Sequence, residues 1–271
     1  MSHIRPPAVA GLFYPAEPAT LARDVDRLLA DGRLRLAEAV GLPAGLPKAL
    51  VLPHAGYVYS GSTAALGYAV LEPYRTEVQR VVLLGPVHRV AVQGLAVDRA
   101  DAFETPLGLV RAEGSSAKRL PDVVESPSAH ALEHSLEVHL PFLQRVLGDV
   151  PTVPLAVGRA SPEAVAGVLD ALWGGPETII VVSSDLSHYL PYDQARAADE
   201  ETVTAVLALG GPLLPTQACG AAPVNGLVVA ARRHSLVPHL IGLCNSGDTA
   251  GDRRRVVGYA AIGFWPKGRT P

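Results

Sequence analysis

Thr178-Ile-Ile-Val-Val-Ser-Ser-Asp-Leu-Ser-His188 decides the architecture. Its opening Thr-Ile-Ile-Val-Val is β-branched throughout and lacks polar alternation. That is the pattern of a strand covered on both faces. Reactive side chains follow at once: Ser184, Asp185, Ser187 and His188. Two other segments repeat the design. Ala49–Pro53 runs into His54, and Arg80–Gly85 runs into Pro86-Val87-His88. Further strands are expected at 94–97, 107–112, 152–157, 237–243 and 256–264.

Longer patterns of helical period separate these strands. They predict helices over 18–30, 62–71, 135–147, 162–172, 193–209 and 223–235. Ser161-Pro162-Glu163 is a strong helix start, with an N-cap serine, proline at the first position and then an acid. Pro141 removes an amide donor, so the helix expected from Ser135 must kink or restart there. The alternation predicts one α/β domain over residues 1–271: a mixed, mostly parallel central sheet with helices on both faces. Thr105-Pro106-Leu107-Gly108 reads as a hairpin turn, which is why the sheet is expected to be mixed.

Composition narrows the function. The 271 residues are 48% hydrophobic and 18% charged, enough apolar side chain to exclude disorder. The net charge of −3 and the absence of dense basic blocks argue against a nucleic-acid partner. Thr202 to Ala231 carries no charged side chain, but Gly210, Gly211, Pro212, Pro215, Gly220 and Pro223 break it. It reads as buried soluble structure, and no membrane partner is expected. The first residues contain no apolar secretory core. Cys219 and Cys244 form no CxxC pattern, so a reducing, cytoplasmic location is expected.

His54, His88 and His188 each follow a strand by a few residues. Ligand crevices in open α/β sheets form at that edge. Sheet topology can bring such loop tips within metal-ligand distance, although separations of 34 and 100 residues match no local zinc motif. Asp185 is placed to orient His188 or cap a helix. In His130-Ala-Leu-Glu133-His134-Ser-Leu-Glu137-Val-His139, His134 and Glu137 are expected near the pocket, and His130 and His139 at the surface or behind it. Cys219 precedes a predicted helix. The helix N-terminus favours its thiolate, and uncharged surroundings oppose it. Cys244 reads as a small buried side chain before a turn.

Arg5-Pro-Pro-Ala-Val-Ala-Gly-Leu-Phe-Tyr-Pro15, His54-Ala-Gly-Tyr-Val-Tyr-Ser-Gly61, Leu84-Gly-Pro-Val-His88, Glu104-Thr-Pro-Leu-Gly108, Glu133-His-Ser-Leu-Glu-Val-His-Leu-Pro-Phe-Leu-Gln144, Ser183-Ser-Asp-Leu-Ser-His188 and Cys219-Gly-Ala-Ala-Pro223 occur in that order. Together they resemble the Memo family over almost the whole chain. That family is similar in fold to the class III extradiol dioxygenases, non-haem iron(II) enzymes with two histidines and a glutamate on the metal. The resemblance implies that His54 and His88 are the histidine ligands. Cys219 falls where the carboxylate would stand, and His188 matches the acid/base histidine. A thiolate ligand favours iron, copper or zinc over magnesium or calcium.

The expected function is therefore a mononuclear metal-binding redox protein. Iron(II) ranks first, copper second and zinc third. His54, His88 and Cys219 hold the ion and His188 shuttles a proton. Asp185, Glu137 and His134 support the site, and Tyr57 and Tyr189 line a pocket for a small aromatic molecule. The resemblance also implies a link between bacterial members and a radical-SAM system. Two other readings stand beside this one. One is a non-catalytic adaptor that binds a peptide or protein partner in the old cleft. The other is a hydrolase using Cys219 and His188.

Overall fold

The computed structural model describes residues 3–39 and 41–268. Its centre is four parallel strands: β2 (Ala49–Leu52), β3 (Arg80–Pro86), β8 (Thr152–Val157) and β9 (Thr178–Ser183), in the order β2-β9-β3-β8. β8 and β9 are buried at every position. Successive side chains of a strand face opposite ways, and each face here meets its own core. Val81, Leu83, Ile179 and Val181 enter one apolar cluster. Val82, Leu84, Ile180 and Val182 enter the other. The unbroken apolar runs are thus two interleaved period-two patterns.

The first cluster lies under α1 (Pro18–Glu38), α2 (Tyr57–Leu71) and α4 (Leu140–Leu147). The second lies under α5 (Pro162–Leu172), α6 (Tyr192–Leu207) and α7 (Ala221–Arg233). α2 sits so close to β2 that a Cβ on Gly67 would fall 2.3 Å from Leu52 Cδ2. The uncharged stretch from Thr202 covers the end of α6 and most of α7, and it packs Val203, Val206, Leu213 and Leu227 into the second cluster. Among the described residues no helix is long and apolar enough to cross a membrane.

The sheet is mixed, but less parallel than the strand patterns predict. β11 (Leu236–Asn245) and β12 (Val256–Pro266) pair antiparallel, and β12 runs antiparallel to β2. Only an antiparallel pair can be joined by so short a connection. At the other edge, β4 (Leu95–Val97) is antiparallel to β8 and carries β7 (Val123–Glu125). β10 (His188–Leu190) adds to β12 as a short extra strand. The Thr105–Gly108 turn joins β5 (Ala102–Thr105) to β6 (Gly108–Arg111) as expected, but in a separate sheet with β1 (Ile4–Arg5). The helix expected from Ser135 is broken. A 3₁₀ turn at Glu137–His139 leads into α4, with Pro141 in its first turn, and α3 (Pro127–Ala131) stands apart upstream.

Glu137 does not line a pocket. It is fully buried and holds the N-terminal segment in place. Its carboxylate accepts from Arg5 Nη1 at 2.6 Å, the amides of Ala8 and Val9 at 2.7 and 2.9 Å, and Tyr14 Oη at 2.6 Å. Arg5 also donates to the carbonyls of His130 and Glu133. The Arg5–Pro15 motif is thus a strap knotted to one carboxylate. Removing one partner of a buried ion pair leaves the other charge uncompensated. Glu137→Ala is expected to lower unfolding free energy in urea by roughly 3–5 kcal/mol.

Candidate metal centre

β2, β9 and β3 are adjacent and parallel, so the loops after them emerge at one edge. His54 follows β2, His88 follows β3, and Asp185 and His188 follow β9. His134, from the loop after α3, joins them. His54, His88 and His134 each offer a ligand atom, all within 4.8 Å of one another. The His88 and His134 rings stack at 4.6 Å, and His54 stands edge-on to both. His134 therefore sits inside the cluster instead of behind it.

Hydrogen bonds assign the protons. Ser183 Oγ donates to the Ser135 carbonyl at 2.6 Å. Its lone pairs then accept from His54 Nδ1 at 2.6 Å and His139 Nε2 at 2.9 Å. The Glu133 carboxylate accepts from His88 Nδ1 at 2.8 Å and from the His88 amide at 2.6 Å. His54 and His88 are thereby both protonated at Nδ1, which leaves each Nε2 with a free lone pair. A ring fixed through its far nitrogen is how metal-ligating histidines are held. The donor set suits a transition metal.

Cys219 Sγ lies 3.2 Å from His54 Nε2, where its S–H meets the free lone pair. The hydrogen bonds leave the thiol beside His54 and not beside His188, against the cysteine–histidine hydrolase pairing. Burial, then the nearby Asp185 carboxylate, pushes the thiol up to about 12. Burial thus outweighs the N-terminus of α7, which begins two residues later. Asp185 does not orient His188. Its Oδ1 accepts from the His54 amide at 2.8 Å, and its own amide donates to Cys219 Sγ at 3.3 Å. Leu186 and Ser187 turn away to bond Gly258 of β12, which separates Asp185 from His188. His188 instead donates from Nδ1 to the Leu186 carbonyl at 2.8 Å.

A cleft of about 1170 Å³ opens over these groups. His54, His88, His134, Asp185, His188, Tyr189 and Cys219 line it, together with Phe13 at the tip of the strap. Tyr57 does not. It is buried, and its hydroxyl donates to the Val138 carbonyl. Of the two places expected for His130 and His139, the surface holds neither; both are buried, and His139 stands behind the site through Ser183. Residue types and spacing did not single out Glu133, Ser183 or Phe13. The one available signal was that a ligating histidine needs an acceptor for its second nitrogen, and Ser183 and Glu133 stood beside the motif histidines.

The model of the Memo-like protein family matches residues 5–263. The chain belongs to the Memo family. MEMO1 family proteins of Methanopyrus kandleri and Aquifex aeolicus are 36% and 35% identical to this Memo-family chain, each over 96% of it and 98% and 99% of their own lengths. A solved structure of an uncharacterized protein from Escherichia coli K12 covers 81% of this chain and 100% of that one, at 15% identity and a TM-score of 0.49.

Burial holds several of these histidines neutral. His54 is pushed well below the ordinary histidine range by burial and by the neighbouring rings. His134 falls to about 4 and His139 to about 3, burial being the main cause for both. In the unfolded chain histidine titrates near 6.5. Below that pH the unfolded state therefore binds protons that the folded state refuses, and stability falls with acidification. His139 alone is expected to remove about 2 kcal/mol between pH 7 and pH 5. Urea unfolding of metal-free protein should show this slope, and His139→Gln should flatten it by up to one proton.

Proposed function

We propose that this Memo-family chain is a mononuclear redox protein. It binds iron(II) or copper through His54, His88 and Cys219 and acts on a small aromatic molecule in the cleft. One observation carries the reading. Two neighbouring histidines have their Nδ1 protons committed to Ser183 and Glu133, so each Nε2 carries a lone pair, met at His54 by the Cys219 thiol. The family's similarity to class III extradiol dioxygenases points the same way.

Such an ion, when bound, supplies Lewis acidity and a one-electron couple. The chain supplies the rest. Ser183 and Glu133 keep the two rings in the ligating tautomer. The thiol, 3.2 Å from His54 Nε2, is close enough for one ion to touch both atoms. It must release its proton on binding, because thiolate is the ligating form. His188 keeps its proton on Nδ1, so Nε2 is the basic nitrogen of a ring lining the cleft. Burial lowers its affinity for protons, so the ring is neutral at pH 7 and accepts the hydroxyl proton of an incoming phenol. Asp185 ties the His54 and Cys219 loops together. Phe13 and Tyr59 provide aromatic wall.

Elemental analysis of protein supplied with iron or copper tests the reading. His54→Ala and His88→Ala should lose the metal, and Ser183→Ala should weaken it by roughly 10–100-fold, as removal of a supporting group does elsewhere. Cys219→Ala should lose it while His134→Ala retains it. The reverse result would make His134 the third ligand. Stoichiometric metal in His54→Ala would overturn the site.

A further inference from the structure

Neighbouring residues of a strand face opposite ways, yet His188, Tyr189 and Leu190 all line the same cleft. The pairing of β10 with β12 explains how. His188 pairs with Val257 and Leu190 with Val256, so Tyr189 is an extra residue without a partner. Tyr189 has φ 62°, a conformation that bulky side chains rarely adopt. A bulge of this kind re-aims side chains beside functional sites. The tyrosine it displays is 62% exposed.

The re-aimed ring has company. The Arg255 guanidinium lies 5.0 Å from the Tyr189 ring centroid, and Arg255 also lines the cleft. Arg89, next to His88, lines it as well. The acids of the cleft are already engaged: Asp185 by the His54 amide, and Asp252 by Arg254 at 2.7 Å. Among the described residues, neither Arg89 nor Arg255 makes an ion pair with a carboxylate; the pairs found involve other arginines. A guanidinium laid on a ring keeps its edge N–H groups free, and that planar fork matches a planar carboxylate.

Resting on the cleft being a ligand site as proposed above, we infer that its ligand is a small aromatic carboxylate. The acid group meets Arg255, the ring lies beside Tyr189, the opposite end points to the histidines, and Arg89 adds a second positive charge to the cleft wall. The bulge at Tyr189 is a specificity device: local backbone strain is kept in order to display that ring.

The test uses metal-free full-length chain and two probes that differ by one carboxylate, 4-hydroxybenzoate and phenol, in titration calorimetry. 4-Hydroxybenzoate should bind tighter by about tenfold or more, the scale of one charge-assisted hydrogen bond. High salt should shrink that preference, Arg89→Gln should reduce it, and Arg255→Gln should abolish it. Tyr189→Gly should weaken binding of 4-hydroxybenzoate while raising the thermal midpoint, because glycine takes a positive φ freely. Equal binding of the two probes by the wild type, or a preference that survives the double arginine variant, would overturn the inference. Metal content of the same preparations reports separately on the metal. Protein that prefers the carboxylate but takes up no metal would keep this inference and lose only the other.

Discussion

A serine hydroxyl has one proton to give and two lone pairs to offer, and at Ser183 all three are committed. The proton goes to the Ser135 carbonyl, and the lone pairs take protons from His54 and His139. This one buried oxygen joins the end of the central strand to the His54 loop and to the segment that carries Glu133 and His134. It also settles which nitrogen of His54 faces the cleft. His139 in turn accepts from Tyr68 on α2, at 3.0 Å. The donors of Ser183, His54, His139 and Tyr68 each have an acceptor, which is what makes a buried polar network tolerable.

That network sits between two opposing demands. Burial suits neutral histidine and protonated thiol, and it raises the pKa of Asp185 to about 7. The thiol and the buried histidine rings therefore stay uncharged as long as no cation is present, while the Glu133 carboxylate behind His88 stays ionised, its hydrogen bonds with His88 outweighing burial and holding it down to about 2. The same burial strengthens whatever cation does arrive, since the low dielectric magnifies its attraction to thiolate and carboxylate. Further out, the balance reverses. At the cleft mouth the free charges are guanidinium groups on exposed residues, so the walls change from uncharged to cationic over one cleft.

Much of this was legible in the sequence. Unbroken apolar runs followed by histidine placed β2, β3 and β9 and the edge at which His54, His88 and His188 meet. The uncharged stretch reads as buried structure, and its Val203, Val206, Leu213 and Leu227 do pack into the second cluster. Other features were not legible for physical reasons. Glu137 shares a motif with His134, which suggests a place in or behind the pocket, but from the 3₁₀ turn its carboxylate bonds Arg5 and Tyr14 instead. Tyr57 lies near His54 in sequence but bonds the Val138 carbonyl, and Asp185 lies near His188 but bonds His54 and Cys219. The bulge at Tyr189 depends on the register against β12, which no local pattern encodes.

Local periodicity and residue type were enough to place the central strands, most of the long helices and the side chains with ligating chemistry. Which nitrogen of each histidine is free, which carboxylate supports which ring, and that His134 stands beside His54 and His88 all depend on how the chain packs. Those outcomes rest on hydrogen bonds between residues 44 to 129 positions apart. Such pairs meet only when the strands stack in the order β2-β9-β3, and that order is set by packing over the whole sheet, not by any one segment.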